Sequence, residues 1–251
     1  MSVKRALECS LISLKNSRFV PNTANTDVNK KRRKNFVEQL LDLASSQRPI
    51  IYVDETNFNL FIARTQGRAP IGQRTNVIRP SARGRNIHLI GAIGSNGFSF
   101  FECRRGSFTI HLANEYVRTC LREARQFFAG QPVVMVVDNA PCHNQIESVF
   151  EESEFEGNVL LRLGPYSPML NPIESAWSKI KATAKRLLAD QINSILDYNG
   201  ENGSITEHRL QRLEEIIRNS LLDLTREDIL QFIAGVQRFY AGVINLEDVT
   251  F

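Results

Sequence analysis

Residues 133–144 read VVMVVDNAPCHN, and residues 159–185 read VLLRLGPYSPMLNPIESAWSKIKATAK. The first stretch is a continuous apolar run that stops at Asp138, the pattern of a strand covered on both faces in the middle of a sheet. The second predicts another strand, then a proline-punctuated approach to a helix whose opening turn carries Glu174. Upstream, PIIYVDET at 49–56 repeats the first pattern: β-branched and aromatic residues start after Pro49 and end at Asp54. Asp54 and Asp138 are therefore expected at the C-terminal ends of two strands, where open α/β sheets place their sites.

The segments around these stretches complete an α/β pattern. Phe58, Leu60 and Ile62 alternate with polar or opposite-facing neighbours and predict a strand partnering 50–54. NIHLIGAIGSNGFSFFECRRG reads as two strands joined at Gly94-Ser95-Asn96-Gly97, a strong hairpin signal. HLANEYVRTCLREARQFF has helical periodicity, and Gln145 to Phe155 reads as a short acidic helix. After Lys185 the chain is expected to be helical, with a loop at DYNGENGS and a capped helix start at Thr225 with Asp228. The expected fold is a mixed sheet flanked by helices, with a helical C-terminal part. Residues 1–48 look like an appendage. VKRALECSLISL is a short helical stretch, and KKRRKNFVEQLLDLASS reads as an amphipathic helix with Phe36, Val37, Leu40, Leu41 and Ala44 on one side.

Composition narrows the class. With 42% hydrophobic residues and no apolar run near the roughly 20 residues of a membrane span, the chain reads as globular rather than membrane-embedded. Cys9, Cys103, Cys120 and Cys142 form no CxxC pair, which argues against zinc fingers and a disulfide framework. The net charge of +4 hides a segregated distribution. Lys4, Arg5, Lys15, Arg18 and the run Lys30 to Lys34 face only Glu8 and Asp27. Eight arginines between Arg64 and Arg105, Arg68 and Arg74 among them, face only Glu102. Such patches suit a polyanionic partner. The Lys30–Lys34 run also fits a nuclear import signal or a phosphate contact, as well as the polar start of a helix.

A carboxylate at the end of a buried strand is costly unless it is paired or holds a cation. Oxygen-only ligands favour Mg²⁺ or Mn²⁺ over zinc. Taken singly, each acid has another explanation. Asp54 and Asp138 suit turns. Asn171-Pro172-Ile173-Glu174 suits a helix start with Asn171 as N-cap and Glu174 closing the cap.

Taken together, VDETNFNL, VVDNAPCH and LGPYSPMLNPIESAWSKIK resemble the catalytic domain of mariner-superfamily transposases of the DDE type. GRAPIGQR and the LIGAI strand fit as well, and the resemblance covers roughly Leu14 to Lys185. The 35 residues between Asp138 and Glu174 are close to that family's spacing. Gly164-Pro165-Tyr166 stands where the family more often has Pro-Pro-Tyr.

The resemblance implies an RNase H-like fold over 49–251, with 1–48 as the linker that follows a helix-turn-helix region missing here. It implies metal-dependent DNA cleavage and strand transfer by two Mg²⁺ or Mn²⁺ ions. Asp54 would bridge the ions, with Asp138 on one and Glu174 on the other. Transposon ends and target DNA are the implied partners, a homodimer the implied assembly and the nucleus the implied compartment. A derivative that binds DNA or protein without catalysis is the alternative. Around the acids, Asn139 and His143 are candidates to hold a metal-bound water or a phosphate, His143 equally a supporting residue. Lys181 and Lys185 share the Glu174 face of their helix and are candidate phosphate contacts. Arg68 and Arg74 are candidates for DNA or subunit contact, and Trp177 for stacking on a flipped base or, ahead of that, for the core.

Overall fold

The computed structural model describes residues 21–62, 69–74, 85–200 and 203–249. Helix α1 (Asp27–Ser45) opens on Thr26, whose hydroxyl accepts the Asn29 N–H. Strands β1 (Ile50–Phe58), β2 (Ile87–Gly94) and β3 (Ser99–Arg105) follow, then helix α2 (Ile110–Phe127), strand β4 (Val134–Val137), a single turn α3 (Glu147–Phe150) and strand β5 (Val159–Arg162). Four helices close the chain: α4 (Ile173–Leu196), α5 (Ile205–Leu221), α6 (Arg226–Val236) and α7 (Tyr240–Ile244). The sheet order is β3-β2-β1-β4-β5. β1–β2 and β2–β3 are antiparallel, and β1–β4 and β4–β5 are parallel. This is the expected mixed sheet with helices on both faces.

Side chains alternate across a strand, and that alternation divides the core. Ile51, Val53, Met135 and Val137 face α2, packing on Tyr116, Val117, Cys120 and Leu121. Tyr52, Val134 and Val136 point the other way, onto Phe36, Val37 and Leu40 of α1. On that same face, Leu89, Ile93 and Phe58 are covered by Ile173, Ala176, Trp177 and Ile180 of α4 and by α5 and α6 behind it. The hairpin at Ser95–Gly97 forms as expected, with Asn96 and Gly97 both at positive φ. Thr225 and Asp228 make a complete capping box at the start of α6.

Four expectations change. The second strand over Phe58–Ile62 does not form, because β1 runs unbroken to Phe58 and the chain then turns, with Asn59 Oδ1 accepting the Phe61 N–H. Asp54 lies inside β1 rather than at its end. Its parallel pairing with β4 stops at Val53↔Val137, while pairing with β2 continues through Asp54↔Gly91 to Phe58. The described part of 1–48 is not an appendage, since α1 is built into the core. Within it the basic run is not a uniform charged face: Arg33 is 1% exposed, and Lys30 pairs with Asp248. Finally, α3 is one turn followed by a separate 3₁₀ turn at Ser153–Phe155, shorter than the predicted helix. The stretch VKRALECSLISL, Arg68 and most of the basic loop over 64–85 lie outside the described residues.

Gly91 is a contact point between sheet and helix. A Cβ there would lie 2.5 Å from Phe101 Cδ1 and 2.6 Å from Trp177 Cη2. The bare backbone lets the Trp177 indole lie across β2 beside Asp54. Gly91→Ala is therefore expected to cost about 1–3 kcal/mol in urea denaturation. The emission of Trp177, the single tryptophan, should shift with it.

Candidate active site

The register of β1 and β4 sets the first two acids side by side. Their parallel ladder ends at Val53↔Val137, so the next residues, Asp54 and Asp138, lie side by side at the level where that pairing stops. From β5 the chain crosses Gly164–Asn171 and enters α4, whose first turn carries Glu174. The three carboxylates line one cleft of about 550 Å³ together with Asn139, Tyr166 and Asn171. Two further clefts open from it. One shares Asn139 and Gly164 and runs toward Arg32 and Gln39 of α1. The other shares Asn171 and Glu174 and runs along α4 toward Gln231 and Arg238.

The helix start differs from the expected cap. Pro172 occupies the N-cap position without a side-chain bond, and Asn171 contributes its carbonyl to the Glu174 N–H. Glu174 closes no capping box. It is exposed, and its carboxylate is free to face the cleft. Asn171 Oδ1 is buried on the cleft wall with no hydrogen-bond partner, an open acceptor beside the acids.

Each aspartate has its own support. Trp177 Nε1 donates to Asp54 Oδ2 at 3.0 Å, and the Glu55 N–H donates to Asp54 Oδ1 at 2.8 Å. Burial raises the Asp54 carboxyl to about 7, and the Glu174 and Asp138 charges add to this against the opposing Glu55 N–H. Asp138 accepts from His143 Nδ1 at 2.7 Å and from the Ala140 N–H at 3.0 Å. Burial alone would raise its carboxyl, but these bonds win and hold it below the usual range. Desolvation at the cleft wall raises Glu174; the Lys181 ammonium opposes this and Asp138 adds to it.

His143 is completely buried, so it cannot touch DNA as the sequence allowed. Instead it spans two carboxylates, with Nε2 2.6 Å from Glu55 Oε1. Burial disfavours its charge, yet the bonds to Asp138, Cys142 and Glu55 outweigh that and push its pKa to about 12. As an imidazolium it donates from both nitrogens and fixes the Asp138 side chain. Arg162 holds the same turn from below, donating to the carbonyls of Asp138 and His143. Asn139 donates one amide N–H to the Leu163 carbonyl, tying the end of β4 to the end of β5, and it stays exposed on the wall of the acid cleft. Lys181 is half-buried within the field of Glu174 and Asp54, and Lys185 lies half-buried one turn on. Arg74 is exposed, and it does not line the cleft.

Glu55 and the Trp177–Asp54 bond were missed from sequence. The signal for Glu55 was its place next to Asp54 in a strand, which turns it to the opposite face, toward the segment carrying His143.

The donor set suits a hard divalent cation. The candidate donors are all carboxylate oxygens, an added positive charge would relieve the raised Asp54, and a free acceptor adjoins them. Among the described residues, Glu55, Cys142 and His143 are the set of three whose ligand atoms all lie within 4.8 Å. Both His143 nitrogens are already engaged there, so this cluster works as a brace. The acid trio is wider than that and stays open.

Comparison with known proteins agrees with this geometry. Residues 49–195 match the family model described as DDE superfamily endonuclease. No curated protein matches the chain. Among solved structures, a pre-cleavage Mos1 transpososome aligns with a TM-score of 0.71 at 16% identity, over 99% of this chain and 70% of that one. The Mos1 mariner paired-end complex with Mn aligns at 0.69 and 18% identity, over 97% and 69%. The Mos1 strand transfer complex aligns at 0.67 and 19%, over 99% and 70%. At these identities the likeness establishes a shared fold.

Because Asp54 is raised in the folded chain, its contribution to stability is fully present below about pH 4 and is lost as pH rises through about 7. Asp54→Asn keeps an acceptor for Trp177 and removes the charge. At pH 8 this variant is expected to melt several degrees above the unsubstituted protein, and the difference should vanish at pH 4. Millimolar Mn²⁺ at pH 8 should raise the melting temperature of the unsubstituted protein and leave the variant unmoved, as read by differential scanning fluorimetry.

Proposed function

The chain belongs to the DDE superfamily of endonucleases, and from that membership we propose that it is the catalytic domain of a mariner-type transposase. In this reading it cleaves DNA strands and transfers the resulting end to a target, with two Mg²⁺ or Mn²⁺ ions held by Asp54, Asp138 and Glu174. The observation that carries the reading is the convergence of these carboxylates, from β1, β4 and α4, on one cleft. The ions would supply what the side chains cannot: activation of a water or DNA 3′-hydroxyl, and neutralisation of charge on the leaving oxygen.

The residues supply position. Asp54 feels the charge of both other acids, which suits the shared ligand. Its Oδ2 is oriented by Trp177 and its neighbour Asp138 by the Glu55–His143 brace. Glu174 stands unpinned on the first turn of α4, able to adjust as substrate arrives. Lys181 places a positive charge beside the acids, where a phosphate would sit. Transposon-end DNA as a partner extends to this chain what the Mos1 complex with the left transposon end holds; target DNA as a second partner and a dimer as the working assembly belong to the same proposal. Work in the nucleus is part of the same proposal. Lys30–Lys34 adds less support than its sequence promises, because Arg33 is buried.

The test is nicking of supercoiled plasmid in Mg²⁺ or Mn²⁺. Asp138→Ala and Glu174→Gln are each expected to lose at least about 100-fold in rate while keeping their fold by circular dichroism, since each removes a metal ligand. DNA binding without nicking under either ion would instead identify a non-catalytic derivative. Glu55→Gln leaves all three acids in place. It should raise the Mn²⁺ concentration for half-maximal nicking by about 10-fold or more, with a smaller effect on the saturated rate. Lys181→Ala should reduce the slope of DNA affinity against salt by about one.

A further inference from the structure

Tyr166 combines features that its own fold does not explain. Its φ is +52°, in the left-handed region that disfavours side chains other than Gly and Asn. Strain of this kind usually accompanies burial or function. Tyr166 gains little burial, since 42% of it is exposed, which makes it one of the few large apolar side chains at the surface. It stands on the wall of the cleft that holds Asp54, Asp138 and Glu174.

The loop beneath it is rigid. Pro165 and Pro168 flank it, and the buried Ser167 hydroxyl donates to the Pro165 carbonyl. The buried Arg33 guanidinium donates to that same carbonyl and to the Ala24 carbonyl. Gly164 packs so closely that a Cβ would lie 2.9 Å from the Arg33 Cα. The phenol oxygen is already hydrogen-bonded to Thr23 Oγ1 at 3.0 Å. With the hydroxyl engaged and the backbone held, the ring is what this exposed, cleft-lining residue has left to offer a ligand.

We propose that Tyr166 is a base-stacking platform: its ring holds the nucleobase next to the phosphate positioned at the three acids. This rests on the DNA-cleaving function proposed above and adds a binding residue to it. A base is the occupant that fits. The neighbouring clefts carry arginines and amides (Arg32, Gln39, Gln231, Arg238) and no carboxylate other than Glu174, so a phosphodiester chain can pass on either side. Every base has a π-face, so such a contact tolerates sequence and sets the depth at which the backbone enters.

Three variants separate the ring from its backbone. Tyr166→Gly removes the ring and relieves the left-handed strain, so the fold should be kept or slightly stabilised. Tyr166→Phe loses only the bond to Thr23, and Tyr166→Trp keeps a stacking face. The full chain is mixed, with Ca²⁺ in place of Mg²⁺, with a single-stranded oligonucleotide in which 5-iododeoxyuridine replaces thymidine. The sample is irradiated and the adduct located by mass spectrometry. The expected result is an adduct on the peptide carrying Tyr166, retained in the Phe and Trp variants and lost in Gly. Affinity for the same strand should fall roughly 5- to 100-fold in Gly alone.

Adducts that form only elsewhere, or equal affinity in the Gly variant, overturn the proposal, and so does a chain that binds no DNA. Plasmid nicking is run in parallel. Intact nicking without a Tyr166 adduct leaves the nuclease reading standing and removes this one. A Tyr166 adduct without nicking does the reverse.

Discussion

The structure depends on two carboxylates being forced together by sheet register. Neighbouring strands lie only about 4.8 Å apart, and the parallel pairing of β1 with β4 ends one residue before Asp54 and Asp138. Neither acid can retreat, because each is the direct continuation of a buried apolar run whose residues are locked into the core on both faces. Glu174 then arrives from α4 and adds a third negative charge to a partly desolvated cleft. In the free protein the repulsion is relieved by Asp54 taking up a proton near neutrality. A bound divalent cation would relieve it by replacing that proton.

The supports around the acids follow from strand alternation. Asp54 points to the α4 face, where Gly91 leaves room for Trp177 to reach it. Glu55, one residue on, points to the α2 face, where His143 lies between it and Asp138. A single dipeptide thus supplies one cleft acid on one side of the sheet and, through an imidazolium, holds the neighbouring acid from the other. The two aspartates differ accordingly. Asp138 is kept ionised by hydrogen bonds from a charged donor and a backbone N–H, and Asp54 is held by a neutral indole and stays easily protonated. Two like acids at one site, driven apart in pKa by their surroundings, is what differing roles in one reaction require.

The loop between β5 and α4 is the second organised part. Arg33 ties it to α1 and to the segment before it, and Asn25 ties that segment to Val249 near the end of the described chain. The approach to Glu174 is therefore braced by elements from both ends of the sequence. Within the brace, the one residue whose backbone is strained also lines the cleft.

Much of this was legible in the residues. The apolar runs ending at Asp54 and Asp138, the Gly94–Gly97 turn and the Thr225 cap depend on local periodicity and turn chemistry, which a linear string displays. The 35-residue spacing to Glu174 and the motif strings pointed to the DDE family, which the match over residues 49–195 establishes. What the string could not display were relations across the sheet and between distant segments. It could not place Asp54 inside a strand that changes partners, because β1 continues on β2 after β4 has ended. It could not bury Arg33 within a basic run, show that His143 braces Asp138 against Glu55, or bring Trp177 across Gly91 to Asp54. Burial and hydrogen-bond partners belong to pairs of residues up to 224 positions apart, and only the folded chain decides which pairs meet. The sequence by itself determined which acids sit at the ends of buried apolar runs; the tertiary structure decided how each is charged and what holds it in place.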